Sequence, residues 1–253
     1  MMYATSLFDE KGNKRSDFAL GSLAKISYHK PDEILQEKIM KHYTYGGVWD
    51  MYVKTRQGQE VIKKPLSSGL IPTHVYETVS VLPGGTVAAD QVSGTDAEAI
   101  APGLIVSRHG KGKVAYISAA IGAMYEQTGI MEYSDFLKNV IEYVSSDNIP
   151  YSITAPPAAL ISNMTLNGNT RILHLINWTG SNNERILQNV YYIPPVENVT
   201  IQFIIPDGKE VKNISTIIPV KFSQKQEKSI LVISIPRIEK YQGIRIEIQN
   251  SNK

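Results

Sequence analysis

The sequence predicts an α/β domain over residues 1–149 followed by an antiparallel β-sandwich over residues 150–253, and three observations carry that reading. The 253 residues suffice for two domains of ordinary size, each with its own core. The composition changes at Ile149–Pro150, with 15 basic and 17 acidic residues and 5 prolines before it, against 11, 7 and 8 after it. The first part mixes helical and strand periods, whereas the second is Asn-rich, β-branched and cut into short runs by turn residues.

Taken in order, Pro31-Asp32-Glu33 places proline and acids where a helix begins, and Ile34, Leu35, Ile39 and Met40 share a face, so a helix is expected over about 31–43. Thr95-x-x-Glu98 has capping-box spacing, and Pro102 would stop the helix it starts after barely two turns. Gly103 to Ser118 reads as a β-hairpin, two apolar runs around the turn sequence RHGKG. Tyr133 to Ser145 reads as a helix with a single apolar stripe at Phe136, Leu137, Val140, Ile141 and Val144.

Beyond residue 150, Asn167-Gly168 between SNMTL and TRILHLINW predicts a tight type I′ hairpin, and Asp207-Gly208 a second turn. Val199, Ile201, Phe203 and Ile205 alternate with more polar neighbours, as do Ile244, Ile246 and Ile248, the period of strands with one buried face. About seven strands fit, a sandwich of immunoglobulin-like size without the cysteines of true immunoglobulin domains.

Composition excludes several functions. With 42% hydrophobic and 20% charged residues the chain is of the ordinary globular class. A net charge of +2 is too small to organise a surface around phosphate, so nucleic acid is not an expected partner. No stretch approaches the ~18 consecutive apolar residues of a membrane helix, and the start lacks the apolar core of a signal peptide, so no membrane partner is expected and the compartment stays unassigned. The absence of cysteine removes thiol nucleophiles, disulfides and thiolate metal sites together.

The chemistry-bearing residues form no motif. His29, His42, His74, His109 and His174 are scattered without ligand spacing, and no metal or other cofactor is implied. Gly110-Lys111-Gly112-Lys113 lacks phosphate-loop spacing and turns between strands. Ser118 lacks the flanking glycines of a nucleophile elbow. A glycosidase needs two carboxylates roughly 5 to 9.5 Å apart, and Asp9, Glu10, Asp90, Asp96 and Glu126 lie where acids serve turns and helix starts. Aromatic rings offer the one binding surface. Tyr45, Trp49 and Tyr52 cluster in HYTYGGVWDMY and Trp178 ends a strand, so these four are the candidate carbohydrate-stacking residues, although aromatics at element ends more often fill a core margin. Four N-x-S/T sequons stand at Asn163, Asn177, Asn198 and Asn213.

The segments ATSLFDEKGNKRSDFALGSLAKI, APGLIVSRHGKGKVAYISAAIGAMYEQTG, YSDFLKNVIEYV and RILHLINWTG together resemble the C-terminal half of certain large bacterial glycoside hydrolases, β-galactosidases with a trimerisation domain. In that family a catalytic (β/α)8 barrel precedes a flavodoxin-like domain related to class I glutamine amidotransferases, which precedes a small β-sandwich. The resemblance spans about residues 3 to 249 and implies a partial flavodoxin-like, amidotransferase-like domain over 1–149, lacking its first strands. The family's catalytic acid and nucleophile lie on the barrel and map onto no residue here, and a glutaminase needs a cysteine. The resemblance therefore implies a non-catalytic chain. A truncated parallel sheet would expose an edge, so the expected partner is a second copy or a separately encoded barrel, with carbohydrate as a further possible ligand.

Overall fold

The computed structural model describes residues 8–9, 11–28, 51–64, 66, 69–73, 78–93, 98–146, 149–156, 159–179 and 193–251. The chain divides into two compact units, Met1–Asn148 and Ile149–Lys253, the first mixed α and β and the second all β. The helix expected over 31–43 lies outside the described residues.

In chain order the first unit contains α1 (Gly21–Ala24), β1 (Ile26–Tyr28), β2 (Met51–Thr55), β3 (Leu70–Thr73), β4 (Val79–Val81), β5 (Thr86–Ser93), β6 (Glu98–His109), β7 (Gly112–Ile117), α2 (Ile121–Thr128) and α3 (Met131–Val144). Five strands form a sheet in the order β3-β2-β5-β6-β7, and β1 pairs with β4 in a small ribbon. Every described pairing is antiparallel, where the flavodoxin-like resemblance implies parallel strands. For β5–β6 and β6–β7 the reason is local, since strands joined by such short connections can only run antiparallel.

The sheet is covered on both faces. Leu104 and Val106 of β6 pack with Met124, Tyr133, Phe136 and Val140 from the helices, while Ile105 between them packs with Phe18, Ala24, Ile26 and Val79. A continuous apolar run is what a strand buried on both sides requires. The short helix expected from Thr95 is replaced by strand from Glu98 onward. Pro102 is tolerated there because the β6–β7 ladder begins only at Leu104, so no ladder bond from β7 calls for the N–H that proline lacks, and its carbonyl accepts from the Ser118 side chain instead. The hairpin forms as expected, its loop Gly110–Lys111 with Gly110 at φ +57°.

Helix α3 also forms, but it buries a different face. Tyr133, Phe136, Asn139, Val140 and Tyr143 are inside, whereas Ile141 and Val144 of the expected stripe are exposed. Phe136 and Val140 are common to both faces, and the two tyrosine rings bury more area than the Ile141 and Val144 side chains they displace. The polar atoms that go in with them are partnered. Tyr133 Oη donates to Pro72 O at 2.8 Å, Asn139 Oδ1 accepts from Lys64 N at 3.0 Å, and Asn139 Nδ2 donates to Lys64 O at 3.1 Å.

The second unit contains β8 (Tyr151–Thr154), β9 (Leu160–Asn167), β10 (Thr170–Asn177), β11 (Val196–Ile204), β12 (Lys209–Thr216), β13 (Ser223–Glu227), β14 (Ile230–Ile238) and β15 (Tyr241–Asn250). They form two antiparallel four-stranded sheets, β12-β15-β10-β9 and β13-β14-β11-β8. Leu173, Leu175, Ile244, Ile246 and Ile248 from the first sheet meet Val199, Ile201, Phe203, Ile233 and Ile235 from the second in one core. The β9–β10 hairpin turns one residue later than expected. Asn167 pairs with Thr170, so Gly168–Asn169 is the loop, and positive φ at Gly168 alone fits type II′ rather than type I′. The turn at Asp207-Gly208 forms, with Lys209 N donating to Pro206 O, and carries the chain from one sheet to the other.

These contacts set two expectations for experiment. Asn139→Ala leaves the Lys64 amide and carbonyl without a partner and should destabilise the first unit by about 2–3 kcal/mol, read as a lower urea midpoint at unchanged slope. Asp17 accepts hydrogen bonds from Ser27 Oγ, Tyr28 N and Phe18 N, which hold its carboxyl below the ordinary 3.8. A lowered folded value means that the stabilisation is complete above the unfolded value and is lost as pH falls through the folded one. The thermal midpoint should therefore drop as pH goes from about 5 to about 2, with the drop reduced in Asp17→Asn.

Candidate functional site

Of the four aromatic candidates, Tyr45 and Trp49 lie outside the described residues. Tyr52 stands half-buried in β2 between Pro72 and Val92, and Trp178 follows β10 at 44% exposure. These two belong to different units, so no shared site is described for them.

The other chemistry-bearing residues are engaged in holding the fold. Ser118 Oγ donates to Pro102 O at 2.6 Å and accepts from Gln91 Nε2 at 2.7 Å. Asp90 takes Arg56 in a two-pronged ion pair at 2.7 Å per contact. Asp9 closes its own turn through the amides of Lys11 and Asn13. Glu126 lies exposed on α2, while Glu10 and Asp96 fall outside the described residues. Among the described residues no three His, Asp or Glu groups gather as metal ligands, and no helix is long and apolar enough to cross a membrane.

A surface does emerge around Trp178, on the outer face of the β12-β15-β10-β9 sheet. Alternation along β10 sends Leu173, Leu175 and Asn177 into the core and leaves Ile172, His174 and Ile176 outside. Trp178 continues the outward series, its N–H donating to Ala159 O. The register then assembles rows across three strands. Ile161, Ile176 and Tyr241 stand abreast, next to Asn163, His174 and Gly243, and then Thr165, Ile172 and Arg245. Ile217 lies over Gly243, where any side chain would collide with it and with Tyr241 Oη.

His174 is the fixed point of this face. Its Nδ1 is 2.8 Å from Tyr241 Oη and its Nε2 is 3.2 Å from Thr165 Oγ1, and the two rings stack at 6.0 Å with 28° between their planes. Both ring nitrogens are thus engaged across three strands, which sets the orientation of imidazole and phenol together. The outcome is a firm, largely apolar face of Ile161, Ile176, Trp178 and Ile217, rimmed by Asn163, Thr165 and Arg245. Apart from Trp178, sequence reasoning missed this site. Its signal was available in TRILHLINW, where apolar residues occupy both parities of one strand, although only one face can enter the core of a two-sheet sandwich.

Asn177, by contrast, is not available for modification in the folded chain. It is buried, and its Nδ2 donates to Pro194 O and Glu239 O at 2.8 and 2.7 Å.

No protein-family model matches the chain, and no curated protein sequence matches it. Solved structures do. An α-L-fucosidase, isoenzyme 2 from Paenibacillus thiaminolyticus, is 13% identical with a TM-score of 0.56, over 81% of this chain and 33% of its own. A catalytic mutant of a GH42 β-galactosidase from G. stearothermophilus is 10% identical with a TM-score of 0.48, over 97% of this chain and 27% of its own. A β-galactosidase from Bacillus circulans sp. alkalophilus is 11% identical with a TM-score of 0.44, over 90% and 25%. The chain thus spans a third or less of the length of these enzymes, and what it has in common with the fucosidase is a glycoside-hydrolase-like fold over that part.

Proposed function

We propose that this chain is a non-catalytic accessory part of a glycoside-hydrolase-like protein, which assembles with and supports a carbohydrate-active barrel. The observation that carries the reading is the fold likeness to about a third of an α-L-fucosidase, with an α/β unit and a β-sandwich in tandem. The engagement of Ser118, Asp90 and Asp17 in structural bonds supports it further, since each would have to break those bonds to act on a substrate. The partner on this reading is a second copy of the chain or a separately encoded barrel.

Sedimentation of the purified chain, alongside assays with aryl α-fucosides and β-galactosides, tests the proposal. The expected outcome is a species heavier than the 28.1 kDa chain that releases no aglycone alone. A 28.1 kDa monomer that turns over either glycoside would overturn it.

A second reading, carbohydrate binding, is favoured by the outer sheet face. A pyranose can lay its C–H face on the exposed indole of Trp178 while a hydroxyl meets that of Tyr241 in the adjacent row, and further sugar units of a longer glycan would run toward Asn163 and Thr165. Trp178→Ala should then abolish glycan retention in affinity electrophoresis at an unchanged melting temperature. Loss of folding would instead assign the ring to packing.

A further inference from the structure

Away from that face, the first unit holds a cleft of about 490 Å³, within the size range of small-molecule sites. Its lining comes from five parts of the chain: Lys25 after α1, Gln59 to Val61 after β2, Gly84 before β5 with Thr86 on that strand, Val106 to Arg108 on β6, and Tyr143 on α3. Val61, Val106 and Tyr143 are buried and make an apolar floor, and Gln59 and Thr86 add an amide and a hydroxyl to the wall, while the buried Ser107 hydroxyl donates to Leu23 O.

The charges are unbalanced. Glu60 is the acid of the lining. Its Oε1 is 2.9 Å from Lys113 Nζ and its Oε2 is 3.7 Å from Arg108. Lys113 is itself mostly covered, at 14% exposure, and its ammonium stands 4.3 Å from the centroid of the Tyr143 ring. These cations hold the Glu60 carboxyl below its ordinary range, Lys113 chiefly and Arg108 and Lys63 more weakly. Lys25, across the cleft, has no ion-pair partner among the described residues. Its position is built: the residue is held at φ +58°, its carbonyl accepts from Leu82 N, and its stem lies against Gly84 and Gly85. At Gly85 a side chain would press on Lys25 and Val81. The lining therefore carries two cations, Lys25 and Arg108, against the single carboxylate of Glu60, which Lys113 already pairs, so positive charge is in excess around a polar-walled space with an apolar floor.

We infer that this cleft binds a small carboxylate-bearing ligand of sugar size, whose carboxylate pairs with Lys25 and Arg108 while Gln59 and Thr86 take its hydroxyls. Carboxylate is preferred to a rounder anion because a carboxylate, that of Glu60, already rests between Lys113 and Arg108, and a guanidinium fork matches that planar group. Glu60 then acts as a tethered competitor for Arg108. The cleft belongs to the first unit alone, so its ligand does not depend on the assembly reading.

Isothermal titration and amide NMR of the full chain with glucuronate, glucose, acetate and inorganic phosphate test it. Glucuronate and glucose share a ring and differ at the carboxylate, so saturable binding of glucuronate with none of glucose is the expected result. Acetate and phosphate should bind more weakly than glucuronate. Lys25→Gln and Arg108→Gln should each weaken glucuronate about tenfold, the worth of one charge-assisted hydrogen bond, and Glu60→Gln should tighten it. Unchanged melting temperatures establish that the variants fold, and the amide signals of Ser107 and Arg108 should move on titration. No saturation with glucuronate, equal binding of glucose or phosphate, or indifference to both cation variants would overturn the inference.

Discussion

The close approach of β5 and β6 is the contact on which the first unit depends. At Gly103 a side chain would come within 3.0 Å of the backbone of Asp90, so only glycine lets the two strands lie this near. The pairing between them shifts register three times, between Val87 and Ala89, Ala89 and Asp90, and Gln91 and Val92. Those irregularities set the direction of the backbone groups beside them. Pro102 O and Gly103 O are turned to receive the Ser118 hydroxyl and amide, which ties the end of β7 back to β6. From Leu104 onward β6 regains strict alternation, with Leu104 and Val106 serving one core, Ile105 the other, and Arg108 reaching the cleft.

The second unit solves a simpler problem. Two sheets facing each other bury one side of each strand, and polar residues suffice on the other side. The strand β13, fully exposed and reading SQKQE, follows that rule and blunts its edge with charge. The outer face of β9, β10 and β15 departs from it, for Ile161, Ile176 and Ile217 face outward beside a histidine that is hydrogen-bonded at both nitrogens. Fixing an imidazole and a phenol against each other while leaving isoleucines open to water adds nothing to the sandwich core.

The division into a mixed unit and an all-β unit was legible because it depends on periodicity, which a single sequence displays. Hairpins were legible where glycine marks them, at Gly110 and within one residue at Gly168. The face of α3 was not. Ranking positions by aliphatic character favoured Ile141 and Val144, yet burial followed the tyrosines and Asn139, whose polar atoms find partners on β3 and in the loop at Lys64. Those partners are remote in sequence, and no local rule supplies them. Pro102 misled for the same reason: it breaks a helix anywhere, but whether it breaks a strand depends on which neighbour is missing. The cleft was invisible because its charges come from positions as distant as 25, 60 and 108, each of which alone reads as a solvated residue. Of the aromatic candidates, Trp178 stands exposed on the described surface, and the histidine and tyrosine beside it become visible only through register.

The polar inventory separates into groups that are satisfied within the fold and groups that are not. Asn177, Asn139, Ser118 and Asp17 each complete a local set of hydrogen bonds and leave little for chemistry. Lys25 has no ion-pair partner among the described residues, and the outer sheet face leaves Ile161, Ile176, Trp178 and Ile217 exposed. Gly84 and Gly85 yield space to the stem of Lys25, and Gly243 yields space to Ile217 and the Tyr241 hydroxyl. In both places a glycine gives up its own side-chain packing so that a neighbour can occupy a defined position. On the sheet face the hydroxyls of Thr165 and Tyr241 are both tied to the His174 ring, so the three side chains hold one another in place. On the proposed reading, surfaces positioned in this way are where a ligand or a partner would be met.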